Sequence, residues 1–131
     1  MESIFSKIVK GELPAYKVAE DEKFIAFLDI SPITKGHVLV VPKKETDYIF
    51  DIETIEYIDF WIFSRFVAKA IERVIECERI GIAVIGLEVP HAHIHLVPLN
   101  KGVTNIDFNK TKIKLTHQEF EEIAQRIRKE I

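Results

Sequence analysis

The sequence predicts a single domain of mixed strand and helix. Three observations predict it: a β-branched run, His37-Val38-Leu39-Val40-Val41, closed by Pro42; helical periodicity from about Asp51 to Arg79; and a two-residue alternation, His91-Ala92-His93-Ile94-His95-Leu96-Val97, ahead of Pro98. No internal repeat, low-complexity tract or Pro/Gly/Ser linker divides the 131 residues, a length that supports one continuous core.

Ser3 to Val9 forms a short helix with Ile4, Phe5 and Ile8 on one face, and Gly11 followed by Pro14 ends it. Val18-Ala19-Glu20 reads as a first strand, Asp21-Glu22 as a turn, and Phe24-Ile25-Ala26-Phe27-Leu28-Asp29 as a second strand paired with it. Ser31-Pro32 and Lys35-Gly36 mark an irregular connection, after which the run from His37 to Val41 has the composition of a buried central strand. Lys43 to Phe50 has room for one helical turn. In the long helix, Arg65, Lys69, Glu72, Arg73 and Glu76 form a polar stripe, while Ile55, Ile58, Ile62, Phe63, Phe66, Val67, Ala70 and Val74 cover the remaining surface. Asp51, Glu53 and Glu56 suit its positive N-terminal end, Arg79 its negative C-terminal end, and Gly81 a left-handed cap. Phe60, Trp61, Phe63 and Phe66 make its apolar face wider than one sheet needs, so part of it is expected to pack on another subunit, the alternative from pattern alone being a well-buried helix in a monomer.

Ile82 to Ile85 reads as an apolar strand, Gly86 to Pro90 as a connection, and His91 to Val97 as a strand bracketed by Pro90 and Pro98. Asn100 to Thr111 is a loop. Thr116 and Glu119 make a capping box, with Leu115 and Phe120 as its hydrophobic staple, and open a final helix with Phe120, Ile123, Ile127 and Ile131 on its apolar face. His117, in the first turn of that helix, suits a solvated surface role.

An apolar fraction of 47% and a charged fraction of 30% describe an ordinary globular chain and fit neither disorder nor membrane residence. With 18 basic residues against 21 acidic ones the formal charge is -3, so no global field draws nucleic acid, although local groups suffice for a small phosphorylated ligand. Cys77 is the single cysteine; it excludes an intramolecular disulfide and a multi-cysteine zinc site, agrees with a reducing compartment, and suits a half-buried place near a helix end. Met1 to Phe5 lacks the pattern of a secretory signal, and no apolar stretch reaches the ~18 residues of a spanning helix, so the expected address is the cytoplasm.

The chemistry lies in the alternation. On an extended run His91, His93 and His95 project to one side while Ala92, Ile94 and Leu96 face the other. Imidazole, with an unperturbed pKa near ~6.5, lets neighbouring rings divide the labour: one neutral as nucleophile, the others protonated to attract anionic oxygens. A phosphoryl centre suits that arrangement. The rival is a metal, held by two or three of the histidines or by histidines with Glu88 or Glu45, neither of which has a diagnostic spacing. His37, which opens the other buried strand, reads as structural when taken alone.

At His91-Ala92-His93-Ile94-His95-Leu96-Val97 the sequence resembles the histidine-triad superfamily, whose signature is H-x-H-x-H followed by apolar residues. The likeness extends to the segment from Ile4 to Ala15, to Phe27-Leu28-Asp29-Ile30-Ser31-Pro32, and to the segment from Gly36 to Lys44, covering most of residues 4 to 98; it is closest to the Hint-like nucleotide-binding branch. The resemblance implies an α+β fold: an antiparallel sheet of about five strands, one long helix, a C-terminal helix, and a homodimer that joins two sheets, with the aromatic-rich helix supplying much of the contact. It implies no cofactor and no obligatory metal.

It also implies an enzyme that binds a purine nucleotide or nucleotide conjugate and works through a covalent nucleotidyl-histidine. His93 would attack the α-phosphorus, His95 and His37 would contact or orient around the phosphate, and His91 would support the nucleophile. Asp29 matches the ribose-binding acid, and Phe5, Ile8, Phe27 and Ile30 match the apolar pocket for the base. Glu88 stands three residues before the triad, where many members have Ser or Thr to help protonate the leaving group; a carboxylate there would have to be held protonated or would orient a histidine. The loop before it is shortened, and the family's asparagine there has no clear counterpart. Ser6, Val9 and Glu45 stand where some relatives carry zinc ligands, so no structural zinc is expected. The favoured substrate is a nucleoside phosphoramidate, with a dinucleoside polyphosphate second. The alternatives are a nucleotide-binding module without turnover and a histidine-ligated metal hydrolase.

Overall fold

The computed structural model describes residues 2–102 and 106–131, so Met1 and part of the Asn100–Thr111 loop, residues 103–105, lie outside the described residues. The chain runs α1 (Ile4–Val9), β1 (Lys17–Glu20), β2 (Phe24–Leu28), β3 (Val38–Pro42), α2 (Thr54–Val74), β4 (Arg79–Ala83), β5 (Ile94–Leu99) and α3 (His117–Arg128). The strands form one five-stranded sheet in the order β1-β2-β3-β5-β4, and every neighbouring pair is antiparallel. This is the α+β architecture expected. A 3-10 turn, Ile49–Asp51, fills the room left between β3 and the long helix.

Parity decides the two faces. Phe24, Ala26 and Leu28 of β2, Val38 and Val40 of β3, and Ile94 and Leu96 of β5 enter one core with Phe60, Val67, Ala70 and Ile71 of α2 and Phe120, Ile123, Ala124 and Ile127 of α3. The odd-numbered neighbours Ile25, Phe27, Leu39 and Val41 form a second, smaller core under Phe5 of α1. Both faces of β2 and β3 are therefore buried, which is why their sequence is continuously apolar rather than alternating. Ile4, expected on the buried face of α1 with Phe5 and Ile8, is exposed instead.

The long helix is shorter than its periodicity predicts. Glu53 caps it by accepting the N–H groups of Ile55 and Glu56, and it ends at Val74, with Ile75 already extended. Arg79 and Gly81 thus lie in β4, not at a helix end, and β4 begins earlier than the Ile82 to Ile85 run predicts. No local breaker stops the helix; the partner strand does, because the Glu78 N–H is taken by the Leu99 carbonyl and the Asn100 side chain. Gly81 serves close approach rather than capping, since a Cβ there would come within 2.5 Å of the Leu99 side chain. Gly36 is the glycine that needs its freedom: its φ is +89°, and a Cβ would meet Ile75 at 2.6 Å, just where the chain turns to deliver His37 into the sheet.

The triad strand also differs in extent. β5 starts at Ile94 and continues through Pro98 to Leu99, so His91 and His93 precede it. The β3–β5 ladder closes at Val40↔Ile94, and beyond it the Pro42 carbonyl bonds the His91 ring while the Ala92 N–H bonds Thr46. Pro98 is tolerated inside the strand because its carbonyl edge faces Thr34, where β3 has not yet begun. The capping box of Thr116 and Glu119 is present at α3 as the sequence predicts. Among the described residues, no helix is long and apolar enough to cross a membrane.

Candidate active site

On the face under α1, the parity that places Phe27 and Leu39 extends at the strand ends to Asp29 and His37, and on the neighbouring strand to His95. The Asp29 N–H bonds the His37 carbonyl, which holds the two together across an irregular connection. His91, His93 and His95 lie on this same side, as the alternation requires, although two of them lie outside the strand: Phe5 packs edge-on against His91 and His93, and the His93 and His95 ring centroids are 5.0 Å apart. All four histidines are buried.

The hydrogen-bond partners fix each tautomer in turn. The Ile33 N–H points at His37 Nδ1, at 3.0 Å, so that nitrogen accepts and the hydrogen sits on Nε2. His37 Nε2 then donates to His95 Nδ1, at 2.9 Å, which leaves His95 Nε2 as an N–H donor. His91 Nε2 donates to the Pro42 carbonyl at 2.7 Å, so His91 Nδ1 accepts the Ser3 hydroxyl, also at 2.7 Å. His93 Nδ1 donates to the His91 carbonyl at 2.8 Å, so in the neutral ring the lone pair is on Nε2. The cluster therefore holds one ring with a free lone pair beside one ring with a free N–H.

Burial overrides the expectation that the supporting rings carry charge. It pushes His37 down to about 3, helped by His95 and then by the Lys112 charge. Burial likewise pushes His95 down to about 4, with the His93 ring adding to it, and lowers His91 against the opposing pull of the Pro42 carbonyl and Glu45. At neutral pH these three rings are neutral donors and acceptors, not cations. Burial also raises Asp29, despite the hydrogen bond its carboxylate accepts from the Ser31 N–H.

The site residues fall into place unequally. Phe5, Ile8 and Phe27 meet in the small core, with the Phe5 and Phe27 rings 5.6 Å apart, whereas Ile30 is exposed at 72% and stands outside that cluster. Glu88 is exposed on the loop before the triad and makes no hydrogen bond or ion pair to a histidine among the described residues. Its expected role has no contact to support it here. His117 is on the surface, bonded to the Tyr16 hydroxyl. His93 also lines a cavity of about 590 Å³ bounded by Tyr48, Phe50, Tyr57, Trp61 and Leu87.

Ser3 and Ser6, which sequence reasoning did not place in the site, and Glu45, which it considered only as a metal ligand, support His91. The Ser3 hydroxyl is held on the His91 ring by the Ser6 N–H, and Glu45 accepts both the Ser3 N–H and the Ser6 hydroxyl at 2.7 Å. These donors pull the Glu45 carboxyl down to about 2. Ser3 and Ser6 lie 88 and 85 residues from His91 in sequence, so no spacing could have paired them. Phe108 is the other addition, edge-on to His95 with centroids 4.7 Å apart.

Asp29, His37 and His95 are the described residues with the donor set for a metal, their ligand atoms lying within 4.8 Å of one another. The tautomers oppose it. A metal on His37 Nε2 would drive the ring hydrogen to Nδ1, straight against the Ile33 N–H.

Comparisons with known proteins bear on the family and the fold. An uncharacterized HIT-like protein of Borreliella burgdorferi is 33% identical over 132 residues, covering 95% of this chain and 94% of its own length. The adenosine 5'-monophosphoramidase hnt1 of Schizosaccharomyces pombe is 37% identical over 100 residues, covering 75% of this chain and 74% of its own. Among solved structures, the Hit-like protein involved in cell-cycle regulation from Bartonella henselae superposes with a TM-score of 0.87 at 30% identity, over 99% of this chain and 96% of that one. The family model of the HIT domain matches residues 10–102, a span that runs from the end of α1 past the whole histidine cluster, and the protein accordingly belongs to the HIT domain family.

Proposed function

We propose that this chain is a HIT-type nucleotide hydrolase or transferase that acts at the α-phosphate of a purine nucleotide conjugate through a covalent nucleotidyl-His93. The observation that carries the reading is the fixed tautomer of His93: with Nδ1 spent on the His91 carbonyl, Nε2 keeps the lone pair a nucleophile needs. That lone pair forms an N–P bond as the bond from phosphorus to the leaving amine breaks, and the amine takes a proton from solvent. Water then cleaves the N–P bond, its oxygen going to phosphorus and one proton returning to solvent, which gives the nucleoside monophosphate and restores the neutral ring. His95 Nε2–H is the donor for a phosphate oxygen, oriented through His37. His91 acts on His93 through its backbone carbonyl, and Asp29 is assigned to the ribose hydroxyls. The phosphoramidase named among the relatives supports a phosphoramidate as the first substrate to test, ahead of a dinucleoside polyphosphate.

Intact-mass analysis after mixing with an amine adenylate tests the mechanism. The expected result is an increment of one nucleoside monophosphate that maps to His93. Steady turnover with no adduct under rapid quench, or an adduct on another residue, would sink it. A nucleotide-binding module without turnover would give neither adduct nor product, and a metal hydrolase would be silenced by a chelator.

The proposal includes a homodimer. Ile55, Ile58, Ile62 and Phe66 leave a stripe of α2 more than half exposed, and β4 offers an unpaired edge beside the exposed Ile82, Ile85 and Leu87. A second copy covers both features at once. Sedimentation is expected to give twice the chain mass for the native protein and a monomer for Ile62→Glu with Phe66→Glu; a native monomer at high micromolar concentration refutes the assembly.

A further inference from the structure

A phosphate bound among neutral imidazoles poses an electrostatic problem. The non-bridging oxygens bring at least one full negative charge into a dehydrated site, and rings held neutral by burial supply dipoles but no counter-charge. A cation beside the cluster would offset that charge.

It stands on the segment after β5. Residues 106–113 return across the histidine side of the sheet and are pinned at both ends. The Phe108 ring packs edge-on against His95 with centroids 4.7 Å apart, and the Ile113 N–H bonds the Pro32 carbonyl at 3.1 Å, two residues past Ile30 in the Asp29–His37 connection. Between these anchors Lys112 is half-buried, its ammonium 5.9 Å from the centre of the Phe108 ring and donating to the Phe108 and Lys110 carbonyls at 2.5 and 3.1 Å. It pairs with no carboxylate among the described residues, so its charge is not cancelled locally. Its field reaches both Asp29 and His37.

We infer that Lys112, held over the histidine cluster by Phe108, is a specificity-determining residue that supplies the counter-charge for the substrate's phosphate. The inference rests on the nucleotide reading given above and names a residue outside the segment matched by the family model, which ends at residue 102. Carbonyl partners suit the role, because they hold an ammonium in place without neutralising it. Phe108 has two tasks: it fixes the turn that carries Lys112, and its ring keeps water from the His95 side of the cluster, which strengthens any charge interaction there.

The test compares affinity for a nucleoside monophosphate with affinity for the nucleoside lacking phosphate. Lys112→Met is expected to weaken the monophosphate about tenfold, the worth of one charge-assisted hydrogen bond, while nucleoside affinity stays within about twofold. Lys112→Arg is expected to restore most of the loss, and the monophosphate affinity of the methionine variant is expected to fall less steeply with added salt than that of the native protein. Phe108→Leu, which keeps the charge and loosens its anchor, is expected to lose monophosphate affinity by a smaller factor in the same direction. A merely structural lysine would move both ligands equally. Equal weakening of the two ligands, or no change in either, overturns the assignment of Lys112 while the nucleotide site stands. Native protein that binds neither ligand overturns the nucleotide reading itself, and this inference with it.

Discussion

Replacing His93 by Ala is expected to reduce kcat/KM by at least about 10³-fold, or about 4 kcal/mol of transition-state stabilisation, and to leave nucleotide affinity within a few-fold of native. The asymmetry follows from the arrangement of the rings. His95, His37 and Asp29 hold their positions through bonds to one another and to the 29–37 connection, so losing the His93 side chain removes the nucleophile and little of the binding surface. His93→Ala with turnover within about tenfold of native would show that another group attacks phosphorus. Ser3→Ala in the same assay bears on the support of His91: the ring nitrogen would lose the hydroxyl it accepts and keep its bond to Pro42, so a smaller loss in kcat at unchanged KM is expected.

Stability is expected to fall steeply as pH drops from about 6.5 toward 4. His37 and His95 have folded-state values of about 3 and about 4, below the ordinary histidine value of 6.5. Below pH 6.5 the unfolded chain takes up protons that the folded chain refuses, so each ring tilts the balance toward unfolding by up to about 1.4 kcal/mol per pH unit. The effect of His95 saturates near its folded value, and that of His37 about a unit lower. The raised Asp29 carboxyl works in the opposite direction, but only once the pH enters the carboxylate range. Urea midpoints from pH 7 to 4.5 read the slope directly. His95→Gln is expected to flatten it by roughly the share of one ring; a native slope that matches that of the variant would mean the rings protonate in place.

Much of this protein is legible in its sequence wherever one local period governs. The alternation from His91 to Leu96 gives the correct faces, with the three histidines on one side and Ala92, Ile94 and Leu96 in the main core, even though the regular strand starts only at Ile94. The capping box at Thr116 is local and stands as predicted. The end of the long helix is not local. Glu76, Cys77 and Glu78 carry no breaker, and it is the pairing of Glu78 with Leu99 that draws the chain away and makes Arg79 to Ala83 a strand. Pro98, read as a terminator, is accommodated because the side of the strand it faces has already lost its neighbour.

The sequence alone carried the family, through a resemblance that covers most of residues 4 to 98 and implies the fold class, and the alternation of the triad set the side of the sheet on which the chemistry sits, because side-chain direction along an extended chain has a period of two. Only the tertiary structure decided the protonation states. Burial made His37, His91 and His95 neutral where free imidazole chemistry would have charged some of them, and contacts with Ser3, Pro42 and Ile33 fixed which nitrogen carries each hydrogen. Desolvation and hydrogen bonding depend on atoms tens of residues away in sequence, and the packed fold alone brings those atoms within reach.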